Sequence, residues 1–67
     1  MTIKDVKARV AQVKGRVEIR DYDDAHCLED DLFQDVLRAV AKGDKRSQAL
    51  AQAALESRKL VFNRHTA

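Results

Sequence analysis

The amino-acid sequence predicts an all-α protein, a small three-helix bundle built as a single domain over residues 1–67. Three observations support this prediction: valines at helical spacing near the N-terminus, an apolar arc in the middle of the chain, and an alanine-rich segment beyond a glycine. The loops between these segments are short, and short loops join antiparallel neighbours in a bundle. A chain of this length buries little surface, so we expect a thin margin of stability.

The first helix is predicted over residues 2–20. Its apolar residues within 3–17 are spaced three, four, three and four apart, which is the stripe of an amphipathic helix and also a heptad pattern. Thr2 and Asp5 have the spacing of a capping box. Basic residues flank the stripe on both sides, so a parallel coiled-coil homodimer would face like charges, and we expect the stripe to pack inside the bundle. Apolar and charged side chains also alternate over residues 17–19, as they do in a short strand.

The second helix is predicted over residues 24–42, after an acidic turn at residues 21–24 that supplies its N-cap. Gly43 stands where the end of a helix favours a positive φ. One face of this helix carries the apolar side chains Ala25, Leu28, Leu32, Phe33, Val36, Leu37, Ala39 and Val40.

The third helix is predicted over residues 45–58, capped by Asp44 or by Ser47. Its alanines permit close approach of a neighbouring helix. The tail, residues 59–67, is expected to fold its Leu-Val-Phe sequence back on the core and to fray from residue 63 onward.

The composition excludes several classes of protein. No apolar run approaches the ~18 residues that span a bilayer, and the N-terminus lacks the apolar stretch of a signal peptide. Cys27 is the only cysteine, which excludes a disulfide framework, and with His26 and His65 it falls short of the four ligands of a structural zinc site. A free thiol without a secretion signal indicates the cytoplasm, and we expect no cofactor and no membrane association.

Charge is segregated along the chain. Residues 1–20 carry six basic and two acidic side chains, a net charge of +4. Residues 21–37 carry seven acids and no base, and residues 38–67 carry seven bases and two acids, a net charge of +5. Either the acidic segment faces basic neighbours within the fold, or an exposed charged face attracts a partner.

Adjacent His26 and Cys27 do not form a base and nucleophile pair, because neighbours on a helix point about 100° apart. We therefore predict no catalytic residue. His26, Glu29 and Asp30 have the i, i+3, i+4 spacing for three ligands of a divalent metal, but no second cluster closes the site, so no metal is predicted. The alternative is a histidine paired with Asp30 in the first turns of the helix.

Four basic residues, Lys7, Arg9, Lys14 and Arg16, flank the apolar stripe of the first helix. A basic stripe of this kind can lie along phosphates. Neither a helix-turn-helix nor an aromatic stacking pattern accompanies it, and an acidic segment follows directly. We expect these side chains to pair with the acidic second helix, with nucleic-acid binding as the alternative.

Two charged residues lie on apolar helix faces. Glu29 is in the middle of the apolar arc of the second helix, and Arg58 is among the apolar residues of the third. Two opposite charges on two apolar faces predict an ion pair that is at least partly buried. Arg64 and the lysines of the first helix are the alternative partners of Glu29.

Two stretches carry a resemblance to a known group of proteins. Residues 25–30, A-H-C-L-E-D, and residues 35–43, D-V-L-R-A-V-A-K-G, are followed by an alanine-rich helix and by F-x-R-x-x-A at residues 62–67. Together they resemble small uncharacterised proteins of tailed phages and prophages, in which Ser stands at the position of Cys27 and Trp at that of His65. The resemblance covers the last two thirds of the chain and implies a phage-type accessory protein with no assigned activity.

These features indicate a non-enzymatic interaction module, a helical bundle that binds a host protein, a phage protein or a second copy of itself through a charged helix face. Asp30, Asp31 and Asp35 are its candidate acidic residues, beside His26, Glu29 and the basic residues named above. The alternative is a nucleic-acid-associated protein or an acidic mimic of nucleic acid.

Overall fold

The computed structural model describes residues 1–64 and places in them three α-helices and one short 3₁₀ helix. Helix α1 spans Ile3–Glu18, α2 spans Tyr22–Ala41 and α3 spans Ser47–Leu55, and the 3₁₀ segment Glu56–Lys59 follows α3 directly. Each helix packs on the other two, so the predicted all-α three-helix bundle is confirmed. Within the part of the chain that the structure describes, none of the helices combines the length and the apolar character that crossing a bilayer requires.

The first two helices begin at side-chain caps. The capping box at the start of α1 is present, with the Asp5 backbone N–H donating to Thr2 Oγ1 and the Thr2 backbone N–H donating to the Asp5 carboxylate. Helix α2 begins at Tyr22, earlier than predicted, because Asp21 caps it by accepting from the backbone N–H of Asp24 at 3.3 Å. At the other end of α1, Ile19 is the C-cap residue, so the strand alternative for residues 17–19 is wrong.

Helix α3 is shorter than predicted and begins without a side-chain cap. The Asp44 carboxylate accepts from the backbone N–H of Arg46 at 2.7 Å, and the Ser47 hydroxyl donates to the Asp44 carbonyl at 2.6 Å. Both predicted caps are thus wrong, because these side chains hold the preceding loop instead of the helix. After Leu55 the α-helix tightens into the 3₁₀ segment, which changes the direction of every later side chain.

The core lies between the three helices. Its buried apolar side chains are Val6, Val13, Ala25, Leu32, Val36, Leu50 and Ala54. The valine stripe of α1 therefore faces the interior of the bundle, as its basic flanks predicted. Two members of the expected apolar face of α2 are not in the core, because Leu37 is 66% exposed and Val40 is 41% exposed.

Two residues with positive φ turn the chain between helices. Gly43, with φ of 80°, follows α2 as predicted for a residue just past a helix end. Arg20, with φ of 61°, makes the turn from α1 to α2, and it is a left-handed residue that carries a Cβ. This conformation costs about 1–2 kcal/mol for an L-residue other than glycine.

We expect Arg20→Gly to raise the free energy of unfolding by roughly 0.5 to 1 kcal/mol, because the relief of the left-handed strain exceeds the chain entropy that glycine adds. Urea denaturation followed by circular dichroism measures the change. As the matched control, Ala11→Gly in the exposed interior of α1 should lower stability by about 1 kcal/mol. A loss of stability in both variants contradicts the strain at Arg20.

Candidate functional site

A buried carboxylate ties the C-terminal segment to α2. Glu29, only 1% exposed, lies in the core-facing arc of that helix. Arg64 donates to it twice, from Nε to Oε1 at 2.7 Å and from Nη2 to Oε2 at 3.1 Å. The buried Ser57 hydroxyl donates to Oε2 at 2.8 Å, and Arg58 Nη1 lies 3.7 Å from Oε1. We call Glu29, Ser57, Arg58 and Arg64 the Glu29 clamp.

The prediction that Glu29 is buried and paired is confirmed, but its main partner is Arg64 and not Arg58. Ser57 lies seven residues after the buried Leu50, on the same inward face, whereas the Arg58 side chain points further out and stays 55% exposed.

The end of the described chain is fixed by several contacts of Arg64. Its Nη2 donates to the carbonyls of Ser57 and Leu60 at 3.0 and 3.1 Å, and its guanidinium lies 3.9 Å from the centroid of the Phe62 ring. Phe62 in turn stacks on Tyr22, with ring centroids 6.2 Å apart. The expectation that the chain frays from residue 63 is therefore wrong at Arg64, because a bidentate ion pair and a cation–π contact hold that residue.

The other residues of the tail are only partly packed on the bundle. The Leu-Val-Phe sequence folds back as predicted at its first and last residues, whereas Val61 is 93% exposed. The predictions that concern residues 65–67, including the second histidine at His65, lie outside the described residues.

The clamp keeps Glu29 ionised. Burial acts to raise the pKa of Glu29, but the hydrogen bonds from Arg64 and Ser57, with the positive charges of Arg64 and Arg58, outweigh it, so the pKa lies below its ordinary value of 4.5. Both carboxylate oxygens accept hydrogen bonds. With three accepted hydrogen bonds and 1% exposure, Glu29 suits a structural ion pair.

Ion pairs between α1 and α2 use half of the predicted basic stripe. Arg9 Nη1 lies 2.6 Å from Asp35 Oδ2, and Arg16 Nε lies 2.7 Å from Asp24 Oδ2. The hydrogen bond from Arg9 holds the pKa of Asp35 below its ordinary value, and Arg38 adds a second contact at 2.9 Å. These contacts favour the interpretation that the acidic segment faces basic neighbours within the fold.

The other two members of the stripe do not meet the acidic helix. Lys14 Nζ lies 3.9 Å from Glu18 of its own helix. Lys7 is exposed and makes no ion pair with any residue among 1–64, and the same holds for Asp31 on α2. The side chains of Lys7 and Asp31 are thus left to solvent.

The three candidate metal ligands at the start of α2 diverge. His26 Nε2 lies 3.2 Å from Asp30 Oδ2, the pairing given above as the alternative to metal binding, whereas Glu29 turns into the core. Nδ1 of His26 is buried and has no hydrogen-bond partner among residues 1–64. No group of three His, Cys, Asp or Glu side chains within those residues converges as a metal site requires. Cys27 is exposed.

An open apolar groove runs between α2 and α3. It has a volume of about 240 Å³ and is lined by Phe33, Val36, Leu37, Ala51, Ala54 and Leu55. We call these six side chains the α2–α3 groove. Leu37 and Leu55 flank it and remain 66% and 58% exposed, whereas Val36 and Ala54 are buried at its floor.

The groove was not predicted, because Leu37 was expected on the apolar face of α2 that packs in the core. The available signal was angular: Leu37 projects about 100° away from Val36, at the edge of the arc centred on Leu32 and Glu29. Helix α3 runs beside that edge, since its residues Ala51 and Leu55 line the same groove, but it leaves Leu37 66% exposed. The groove provides apolar contact area and no reactive group, which suits binding rather than catalysis.

In comparisons with known proteins, no family model, no curated protein and no solved structure matches this chain.

Proposed function

We propose that this chain is a non-enzymatic protein-interaction module, a phage or prophage accessory protein that binds another protein at the α2–α3 groove. The observation that carries the proposal is the pair of leucines, Leu37 and Leu55, left exposed on the two sides of one apolar groove. Single exposed apolar residues are normal on a protein surface, but a contiguous patch of them marks an interaction site.

Energetics support binding at this groove. Fully burying a leucine side chain contributes about 1.5–3 kcal/mol, and Leu37 and Leu55 withhold much of that contribution from the isolated bundle. The protein is short and its core small, and Leu37 and Leu55 are two of its six leucines. A protein that covers the groove recovers this contribution at the interface.

The charged helix face is a weaker basis for binding. Asp24 and Asp35 are already engaged by arginines of the same chain, and Glu29 is buried. A partner that competes for the two aspartates gains little, because exposed ion pairs contribute about 0–1 kcal/mol. We therefore assign the interface to the groove.

Differential capture tests the proposal. The wild type, Leu37→Glu and Ile19→Glu are immobilised separately and exposed to the same cell lysate. Ile19 is the matched control because it is 64% exposed and lies outside the groove. We expect a protein retained by the wild type and by Ile19→Glu to be lost with Leu37→Glu. Retention by all three proteins contradicts binding at the groove.

The rival class, nucleic-acid binding, has a separate readout. Duplex DNA is titrated into the wild type and Lys7→Glu at two salt concentrations. Binding through phosphates would weaken steeply with salt and with the loss of Lys7. We expect no such dependence, since Arg9 and Arg16 are occupied by carboxylates.

A further inference from the structure

We propose that Tyr22, Glu29 and Ser57 form a binding site for a peptide segment in which an arginine follows an aromatic residue by two positions. The chain's own residues 60–64 fill this site, and such a segment of another protein displaces them. We call the three residues the Tyr22–Glu29 site and residues 60–64 the C-terminal strap. The site shares no residue with the α2–α3 groove, so the inference goes beyond the proposed function and does not depend on it.

The contacts of the strap show which chemistry the site accepts. Glu29 takes the Arg64 guanidinium in bidentate geometry, from Nε to Oε1 at 2.7 Å and from Nη2 to Oε2 at 3.1 Å. The Ser57 carbonyl accepts from the same Nη2 at 3.0 Å. Tyr22 lies seven residues before Glu29 on the same face of α2, and its ring stacks with that of Phe62. The site thus matches a planar two-point donor next to an aromatic ring.

Part of the arrangement belongs to the strap itself. The Arg64 guanidinium lies 3.9 Å from the centroid of the Phe62 ring, and the Leu60 carbonyl accepts from Arg64 Nη2 at 3.1 Å. These contacts join residues of the strap to one another, so another segment with an aromatic residue two positions before an arginine brings the same stacking with it. The contacts with the Tyr22–Glu29 site are then the ones that an incoming segment has to make.

The strap is placed to leave without unfolding the bundle. Residues 60–64 form no helix or strand, and none of them is buried. Val61, in the middle of the strap, is 93% exposed. Segments that bury little apolar surface open locally at a low free-energy cost. The Arg64 side chain is itself 19% exposed, so the site already reaches solvent at that point.

Arg58 lowers the cost of releasing the strap. A buried carboxylate that loses its cation is strongly destabilising. Arg58 Nη1 already lies 3.7 Å from Glu29 Oε1, and Arg58 belongs to the 3₁₀ segment, which the buried Ser57 holds to the bundle. The Ser57 hydroxyl also continues to donate to Glu29 at 2.8 Å. Glu29 therefore keeps one cation and one hydrogen bond while the site waits for another arginine.

The incoming segment belongs to a different protein and not to a second copy. Two copies that exchange straps replace each contact by an identical one and gain none. The strap of the same chain also competes at an effective concentration of about 1 mM or more, as a short tether provides. A partner protein therefore matches the chemistry of the strap and adds contacts outside the site, whereas an isolated peptide binds well only where the strap has been disabled.

Binding of a peptide to a chain with a disabled strap tests the proposal. The host is the full chain with Phe62→Ala and Arg64→Ala, and the probe is an amidated peptide with the sequence of residues 59–64. In amide NMR titrations we expect saturable shifts that concentrate at Tyr22, Glu29 and Ser57. The wild type should bind the peptide about tenfold more weakly or worse, because its own strap competes. A peptide with Arg64→Lys should lose about as much on the host, since an ammonium cannot bind both carboxylate oxygens in one plane.

A second host keeps the test decisive if the double variant does not fold. Arg64→Gln retains an amide donor toward Glu29 while it removes the guanidinium, and a host unfolded without peptide should regain its helical circular dichroism when the peptide is added. Any one of four results overturns the inference: no shifts in either host up to about 5 mM peptide, equal affinity for host and wild type, equal affinity of the lysine peptide, or shifts centred on the α2–α3 groove.

Discussion

Replacing Arg64 with methionine is expected to lower the free energy of unfolding by about 3 kcal/mol, the lower end of the range for removing one partner of a buried ion pair. The change leaves the Glu29 carboxylate inside the bundle without its bidentate partner. The value stays at the lower end because Ser57 still donates at 2.8 Å and Arg58 lies 3.7 Å away. Urea denaturation at neutral pH measures the loss.

The reciprocal variant, Glu29→Met, is expected to cost less than half as much. Arg64 lies near the end of the described chain, and without its carboxylate it can turn toward water, whereas Glu29 is fixed in α2 and cannot. The double variant completes a thermodynamic cycle, in which a true ion pair appears as non-additivity. Equal and additive losses in the two single variants contradict the Glu29 clamp.

The Arg64→Met variant should also change how stability depends on pH. In the wild type the pKa of Glu29 is lowered from 4.5, so its contribution to stability is complete above that value and is lost as the pH falls through the lower folded pKa. In Arg64→Met, burial is no longer fully opposed and the pKa of Glu29 rises. Lowering the pH from about 7 to about 5 should therefore narrow the gap between the variant and the wild type.

Leu32→Ala is expected to destabilise the fold by about 2–5 kcal/mol, since Leu32 is fully buried and its loss leaves a cavity between the helices. Total stability for 67 residues is roughly 3 to 10 kcal/mol, so this variant should populate the unfolded state measurably without denaturant. The matched control is Leu37→Ala on the same helix, which is 66% exposed and should change stability by less than about 0.5 kcal/mol. Both are measured by thermal and urea denaturation at low protein concentration, and similar losses would show that α2 is rotated from the orientation described.

The helices followed from the sequence because each has a local signal. The valine spacing fixed the inner face of α1, and the Thr2 and Asp5 pair fixed its start. The burial of Glu29 also followed from sequence, since its place in the apolar arc of α2 depends only on helix geometry. Where a helix ran without interruption, local periodicity was sufficient to predict which of its faces turns toward the core.

The main partner of Glu29 and the α2–α3 groove did not follow in the same way. Arg64 was expected only as an alternative partner, because its position depends on how the chain turns after Leu55, and the change to 3₁₀ there has no clear signal in the sequence. Leu37 lies about 100° from Val36, at the edge of the apolar arc, and the packing of the neighbouring helix decides whether a residue at that edge is buried.

On the ribosome the two sides of the Glu29 clamp appear at different times. Arg64 follows Glu29 by 35 residues, and at synthesis rates of about 5–20 residues per second it is made roughly 2 to 7 s later. Helices and their local packing form in microseconds to milliseconds. The clamp can therefore close only after residue 64 has been made and has left the ribosome, so the tie between α2 and the C-terminal segment is a late step of folding.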